Sequence, residues 1–226
     1  MNSKKRQSAQ WHYILLAGLF IAALVSCNMI ANHFIEVDLG FKTFIISAGV
    51  LPYPITFLIT DILSEVWGRK KTNQVVYAGF GASIFVLGIL WTSSQFDAVD
   101  FSIISDGEFD KMFGNTWRVV FSSMIAYLSA QLVDVRLFHF WKKLTKGKHL
   151  WLRNNASTIL SQLVDTTLVI GVLFIGIRSS SEMLDLIIDG WTFKMLIAFI
   201  DTPFLYLATY LYRRRFGLKF AQEVPT

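Results

Sequence analysis

Residues 131–134 read Gln-Leu-Val-Asp, and residues 162–165 repeat the same four letters. Each copy lies inside an apolar stretch long enough to cross a bilayer as a helix, which takes about 20 residues. An ionisable carboxylate in hydrocarbon is costly and normally marks a polar pathway or a binding site. Asp61 and Asp201 lie in two further stretches of the same kind. The sequence therefore predicts a membrane protein with four acidic residues inside its apolar spans.

The composition indicates a membrane protein rather than a soluble domain. Of the 226 residues, 54% are hydrophobic and only 16% are charged, whereas a soluble domain carries about 25% charged residues to wet its surface. We predict an all-α bundle of six transmembrane helices that forms a single domain over residues 1–226. The predicted spans cover roughly residues 13–34, 43–67, 75–94, 117–141, 156–177 and 191–212. The first span lacks a small-residue cleavage site, so we expect it to be retained.

The distribution of Lys and Arg predicts the orientation of the bundle. Fifteen of the 21 basic residues precede the first span, follow the last, or lie between spans 2 and 3 or between spans 4 and 5. Loops rich in Lys and Arg stay on the cytoplasmic side, so both termini are predicted to be cytoplasmic. The same loops account for the net charge of +5, and anionic lipid attracts them. We therefore expect the lipid bilayer, and not a nucleic acid, as the partner of the basic surface.

Two prolines interrupt the second predicted span. Pro52 and Pro54 flank Tyr53, and proline cannot donate the backbone hydrogen bond that a helix interior needs. From Pro54 to Trp67 a helix covers about 21 Å, which is less than the roughly 30 Å of the hydrocarbon core. We expect residues 43–51 to complete the depth as a separate or re-entrant piece. Such backbone must be covered by protein or line a wet cavity, and transporters often bind their solute there.

Polar side chains inside the spans form a candidate site for a small polar solute. Gln131 and Asp134 are three residues apart and share one face of their helix, as do Gln162 and Asp165. A central Asp costs about 2.5–3.5 kcal/mol to insert, so all four acids should face the interior of the bundle. The candidate substrate-binding residues are Asn28, Asp61, Gln131, Asp134, Gln162, Asp165, Lys194 and Asp201.

Some polar residues in the spans have alternative interpretations. Lys194 either snorkels outward or neutralises a buried acid, since Asp201 lies on the same helical face. Glu65, one turn beyond Asp61, is expected to pair with Arg69 at i+4. The whole set could also serve only as interhelical hydrogen bonds that hold the bundle together. Four acids with so few buried cations favour a site for solute or water, because an unpaired buried charge is costly.

The sequence contains no pattern typical of a metal centre or a catalytic site. Cys27 is the only cysteine, which excludes an intrachain disulfide and a cysteine-based metal site. The four His residues lack metal-ligand spacing, and no Walker-type phosphate loop occurs. Intramembrane aspartyl proteases also use paired aspartates, but the Tyr-Asp and Gly-x-Gly-Asp motifs of that family are absent. We expect no cofactor and no enzymatic activity, with a non-catalytic assembly factor as a further alternative.

As a set, these residues resemble the queuosine-precursor transporter family, six-helix proteins of the bacterial inner membrane that import 7-deazaguanines. The resemblance covers essentially the whole chain. It is carried by Ser26–Asn28, Pro54–Gly68, Ala126–Val135, Ala156–Thr166, Phe193, Lys194 and Asp201–Pro203. The resemblance implies a multi-pass transporter of the bacterial plasma (inner) membrane that imports 7-cyano- and 7-aminomethyl-7-deazaguanine through an Asp- and Gln-lined site.

The resemblance also implies how such a ligand would be held. A guanine-like base presents two parallel N–H donors, which a carboxylate accepts in fork geometry. Gln can bind its carbonyl group, and Phe57 or Tyr127 could stack on the flat ring. The residues alone predict only that the substrate is a small polar or cationic solute, such as a vitamin.

The sequence leaves three further properties of the transporter open. The two Gln-Leu-Val-Asp copies lie on helices that run in opposite directions, which indicates an inverted repeat, with chance as the alternative. A facilitator, a proton-coupled carrier and a subunit that needs an energising partner all fit the pattern. A homodimer is an alternative to a monomer, because six short helices enclose a small volume.

Overall fold

The computed structural model describes residues 3–30, 33–38, 40, 43–113, 117–174, 176, 178–219 and 222–225. This part of the chain contains seven α helices, a short 3₁₀ helix and one β-hairpin. The helices are α1 (Ser3–Met29), α2 (Tyr53–Val66), α3 (Arg69–Ser93), α4 (Asp106–Phe113), α5 (Trp117–Leu144), α6 (Leu150–Phe174) and α7 (Ser180–Phe216). The hairpin consists of β1 (Phe34–Asp38) and β2 (Thr43–Ser47), and the 3₁₀ helix covers Ala48–Val50.

The prediction of a largely helical protein is confirmed. Three segments of the described chain have both the length and the hydropathy of a membrane span: Ser3–Met29, Ala48–Val66 and Arg69–Ser93. Helix boundaries differ from the predicted spans, because helices continue into polar residues beyond their apolar stretch. Thus α3 begins at Arg69 and α7 at Ser180, well before the apolar part of each helix. The first span ends earlier than predicted, since β1 begins at Phe34.

The first part of the second predicted span is a separate piece of chain, and it is a strand rather than a helix. Residues 43–47 form strand β2 rather than helix, and α2 begins only at Tyr53. The two prolines explain this boundary. Pro52 directly precedes α2 and Pro54 lies in its first turn, where a helix does not need the N–H donor that proline lacks. The expectation of an all-α fold therefore fails for this hairpin.

The hairpin joins the start of α2 to α7. Its strands are antiparallel and rich in β-branched and aromatic residues, which suit a pleated surface. At the turn, Gly40 has a φ of 81°, and its N–H donates to Asp38 Oδ1 at 2.8 Å. Phe44 of β2 packs on Phe193 of α7, with 5.2 Å between the ring centroids. This contact fixes the proline-flanked start of α2 beside the middle of α7.

Helix α2 lies at the centre of the bundle, where it contacts α1, α3, α5 and α7. Its buried residues include polar and acidic side chains as well as apolar ones: Thr56, Phe57, Ile59, Thr60, Asp61, Ile62, Leu63, Ser64, Glu65 and Val66. In contrast, α1 and α3 expose large apolar side chains such as Leu19 and Phe85. Polar side chains of α2 are therefore buried inside the bundle, whereas large apolar side chains of α1 and α3 are exposed, as is typical of helices that face lipid.

Helices α1, α3 and α5 approach one another closely at Gly79 of α3. A Cβ atom at this position would lie 2.7 Å from Phe20 Cε1, 3.0 Å from Tyr127 Oη and 3.1 Å from Leu24 Cδ2. The Tyr127 hydroxyl donates to the Val76 carbonyl at 3.0 Å, so this aromatic ring is fixed in place. Glycine allows the three helices to meet here because it has no side chain.

We predict that Gly79→Ala destabilises the protein and that Gly81→Ala does not. The new methyl group of Gly79→Ala overlaps the buried ring of Phe20, and overpacking of this kind costs about 1–3 kcal/mol. A Cβ at Gly81 meets no atom within 4 Å, so this control gains only the higher helix propensity of Ala. Thermal unfolding in detergent measures both variants. A Tm of Gly79→Ala equal to or above that of Gly81→Ala would contradict the packing argument.

Candidate solute-binding site

A narrow pocket with a cavity volume of about 20 Å³ lies between the start of α2 and the middle parts of α6 and α7. This is room for about one water molecule, so a solute can enter only if the lining side chains move apart. Tyr53 and Phe57 of α2 form an aromatic wall, with 5.4 Å between their ring centroids. The polar lining comes from α6 and α7: Thr158, Gln162, Lys194 and Asp201. Of the eight predicted site residues, Gln162, Lys194 and Asp201 thus line one pocket.

Asp165 lies behind the pocket wall and is paired with two of the lining residues. Its Oδ2 accepts a hydrogen bond from Lys194 Nζ at 2.6 Å, and its Oδ1 accepts one from Tyr53 Oη at 2.8 Å. Lys194 also donates to Thr166 Oγ1 at 3.2 Å. Of the two interpretations of Lys194, neutralisation of a buried acid is the one observed, with Asp165 rather than Asp201 as its partner. The cluster connects α2, α6 and α7 through charged hydrogen bonds.

A second acidic pair lies deeper in the bundle. Asp61 of α2 and Asp134 of α5 are fully buried, at 1% and 0% exposure, and their carboxyl groups lie within hydrogen-bonding reach of each other. Ser161 Oγ donates to Asp134 Oδ1 at 3.0 Å. Among the described residues, no backbone N–H and no Ser, Thr, Tyr, Asn, Gln, Lys or Arg side chain donates a hydrogen bond to Asp61 Oδ1 or Asp134 Oδ2. A carboxylate only accepts, so a hydrogen bond between these two groups requires a proton on one of them.

The remaining predicted residues have different positions relative to the pocket. Gln131 is fully buried beside the acidic pair, and its Nε2 donates to Thr56 Oγ1 at 3.3 Å. Asn28 is only partly buried near the end of α1 and is not part of the pocket lining. The adjacent Cys27 is the buried residue that faces Asp165 and Lys194. Since successive side chains of a helix point about 100° apart, Asn28 is turned away from this direction.

The two aromatic candidates for stacking are separated by the structure. Phe57 lines the pocket, as the resemblance implied. Tyr127 does not, because its hydroxyl donates to the Val76 carbonyl and its ring packs beside Phe20. Tyr53 was missed as a pocket residue. Its position between two prolines and at a four-residue spacing from Phe57 was the available signal, since this spacing places both rings on one helical face.

A charged cluster closes the other end of α2. Glu65 is fully buried, and its carboxylate contacts Arg153 Nη1 at 3.0 Å, Lys142 Nζ at 3.6 Å and Arg213 Nη2. The expected pairing of Glu65 with Arg69 is wrong. Gly68 adopts a φ of 80° and ends α2, so Arg69 starts a new helix and no longer follows Glu65 by one helical turn. The partners come instead from α5, α6 and α7.

The C-terminal segment packs against this cluster. The Val224 N–H donates to the Val66 carbonyl at 2.8 Å, and the Val224 side chain is buried. Glu223 Oε1 accepts a hydrogen bond from Lys142 Nζ at 2.9 Å. The Glu223 carboxylate also lies directly over Gly68, where a Cβ atom would be 2.1 Å from Glu223 Oε2. Residues 223–224 therefore cover the end of α2 and add a second acid to the basic side chains around Glu65.

The long apolar helices and the buried polar groups together indicate the class of helical membrane proteins. Comparison with known families gives the particular family. The family described as "Putative vitamin uptake transporter" matches residues 47–208, and the chain belongs to this family. The matched region includes α2 and the parts of α6 and α7 that line the pocket.

Curated relatives carry a more specific name. A "Probable queuosine precursor transporter" of Bacillus subtilis (strain 168) is 29% identical over 161 residues, which is 71% of this chain and 70% of that protein. The "Queuosine precursor transporter" of Escherichia coli (strain K12) is 21% identical over 200 residues, 86% of this chain and 85% of that protein. A "Probable queuosine precursor transporter" of Haemophilus influenzae is 26% identical over 129 residues, 56% of this chain and 51% of that protein. The resemblance predicted from the sequence is confirmed. No solved structure matches the chain.

We predict that Glu65→Gln strongly destabilises the protein. The substitution leaves Arg153 and its neighbouring cations buried without their carboxylate, and breaking a buried ion pair costs about 3–5 kcal/mol. The control is Arg178→Gln, which removes an exposed ion pair with Glu182 at 3.3 Å and should cost less than about 1 kcal/mol. Thermal unfolding in detergent compares the two. Equal Tm values would show that the Glu65 cluster does not hold the helix ends together.

Proposed function

We propose that this protein is a bacterial membrane transporter that imports queuosine precursors, the bases 7-cyano- and 7-aminomethyl-7-deazaguanine. The observation that carries the proposal is the pocket between α2, α6 and α7, where aromatic rings face amide, ammonium and carboxylate groups. The pocket lies within the region that defines the uptake-transporter family. The names of the three relatives supply the substrate class. Transport rather than catalysis is the activity that we assign.

The lining residues suit a flat base with several N–H groups. A ring that enters the pocket can stack on Tyr53 or Phe57, as unpaired bases do on aromatic side chains. The Asp201 carboxylate can accept two parallel N–H donors, and the Gln162 amide can both donate and accept. Gln162 Oε1 is buried and receives no hydrogen bond from the residues that the structure describes. Its free acceptor site is available to an N–H group of the solute.

We assign the other predicted site residues to supporting positions. Asp165 holds Lys194 and Tyr53 in place through hydrogen bonds of 2.6 and 2.8 Å, so it acts on the solute through them. Asp61, Gln131 and Asp134 extend the polar interior from the pocket towards the Glu65 cluster. A direct contact of Asn28 with the solute stays a prediction.

We also propose that six helices cross the bacterial plasma membrane, with both termini in the cytoplasm. The helices α5, α6 and α7 contain 28, 25 and 37 residues, or about 38 Å or more each, which exceeds the roughly 30 Å hydrocarbon core. Helices α2 and α5 run in the same direction. Gln131 contacts Thr56 near the start of α2, and Lys142, further along α5, contacts Glu65 near the end of α2. Parallel packing supports this topology, because spans 2 and 4 then run in the same direction. Lys142 at the end of α5, Arg153 at the start of α6 and Arg213 at the end of α7 all contact Glu65. These three helix ends therefore lie on the same side of the bundle, which supports a common cytoplasmic side.

The family description supports a second candidate solute, a vitamin. The two candidates differ in their hydrogen-bonding groups, so competition separates them. Purified protein in detergent is incubated with radiolabelled 7-cyano-7-deazaguanine, and unlabelled bases and vitamins are added as competitors. We expect 7-deazaguanines alone to displace the label. Displacement by a vitamin at lower concentration than by the unlabelled base would transfer the proposal to that solute.

We predict that Gln162→Leu weakens binding of 7-cyano-7-deazaguanine at least tenfold. Leucine has a similar size but offers no polar group, and losing one hydrogen bond to a buried polar group costs about 1–3 kcal/mol. The matched control is Gln74→Leu, which changes an exposed residue of α3 and should leave affinity unchanged. Binding of the labelled base to the purified variants gives the Kd values. Wild-type affinity of Gln162→Leu would show that the base does not bind in this pocket.

A further inference from the structure

Asp61 and Asp134 form a buried acidic pair that does not line the solute pocket. Both residues are polar groups inside a membrane bundle, with 1% and 0% exposure, and each is on a different helix. A hydrogen bond between the two side chains needs a donor on one of them. Two carboxylates offer only acceptors, so the pair forms a hydrogen bond only when it holds a proton. The contact is therefore itself a binding site for one proton.

Among the residues that the structure describes, no Lys, Arg or His side chain forms an ion pair with Asp61 or Asp134. The ionisable groups that face Asp61 are Asp134 of α5, Asp201 of α7 and Arg153 of α6. Arg153 contacts the Glu65 carboxylate at 3.0 Å, and Lys142 and Arg213 contact the same carboxylate. The other neighbours of α2 contribute no charge at this level: α1 has no titratable residue between Tyr13 and Cys27, and α3 has none beyond the exposed Tyr77.

Two structural links connect the acidic pair to the pocket. On α6, Ser161 donates to Asp134 at 3.0 Å, and the next residue, Gln162, lines the pocket. On α7, Asp201 lines the pocket and also lies within electrostatic range of Asp61. A solute that binds to Gln162 and Asp201 therefore acts on the same two elements that set the environment of the pair. Glu65, four residues after Asp61 on α2, places the pair between the pocket and the charged cluster.

We propose that Asp61 and Asp134 bind the coupling proton and that the protein is a proton–solute symporter. The inference rests on the proposed function, since it assumes that the pocket carries a solute. One proton joins the pair from the outside and leaves it to the cytoplasm in each cycle. The only bonds that form and break are O–H bonds, to a carboxylate oxygen in the protein and to water on either side.

The test uses purified full-length protein in liposomes with radiolabelled 7-cyano-7-deazaguanine. With a pH one unit lower outside than inside and the membrane potential clamped, one coupled proton supports up to about tenfold accumulation. We expect the wild type to accumulate the base under this gradient and not under a sodium gradient. Asp61→Asn and Asp134→Asn should lose the accumulation, while exchange of labelled for unlabelled base across the membrane persists. The control Asp185→Asn changes an exposed acid of α7 and should behave as the wild type.

A second measurement needs no variant. Addition of the base to wild-type liposomes should acidify their lumen, which a trapped pH-sensitive dye reports. Exchange without lumen acidification, accumulation driven by sodium, or full gradient-driven accumulation by both Asn variants would overturn the proton site and leave the proposed function intact. Loss of exchange in both variants, in correctly folded protein, would also overturn it by placing the pair in the solute site. Absence of both binding and exchange in the wild type would instead overturn the proposed function itself.

Discussion

The constraint on which this structure depends is the burial of carboxylates inside an apolar bundle. A buried charge without a partner costs several kcal/mol, so each acid needs a cation, a donor or a shared proton. The protein uses a different solution at each level of α2. Asp165 is held by Lys194 and Tyr53 near the start of the helix, Asp61 and Asp134 contact each other further along, and Glu65 is surrounded by basic side chains at its end.

These three levels explain why α2 is central and short. A helix with acidic residues at four-residue spacing must be surrounded by other helices, because any face towards lipid would expose a charge. Pro52 and Pro54 fix its start, and Gly68 with a φ of 80° fixes its end. The β-hairpin directly precedes the 3₁₀ helix and the start of this short helix. Its strands pair with each other, and Phe44 packs on Phe193 of α7.

Both the fold and the site could be predicted only in part from the sequence. Hydropathy identified the apolar stretches, but it did not separate the strand at residues 43–47 from membrane helix, because short apolar runs suit either. Asp134 and Asp165 were predicted to face the interior because a charged side chain in contact with lipid has a high free-energy cost, and both are buried. Asn28 has no comparable cost, and its helical direction takes it away from the pocket. Tyr53 was missed because an aromatic residue near a membrane surface is ordinary.

The sequence by itself determined that the chain is a helical membrane protein with acids turned inward, since the cost of placing a charge in lipid acts on each residue separately. Only the tertiary structure decided which group neutralises each acid. That choice depends on the register between helices far apart in the chain: Glu65 contacts Arg153 and not the sequence neighbour Arg69, and Lys194 contacts Asp165 and not Asp201. Hydrogen bonds and ion pairs act over only a few ångströms, so a small shift of one helix against another would change every partner.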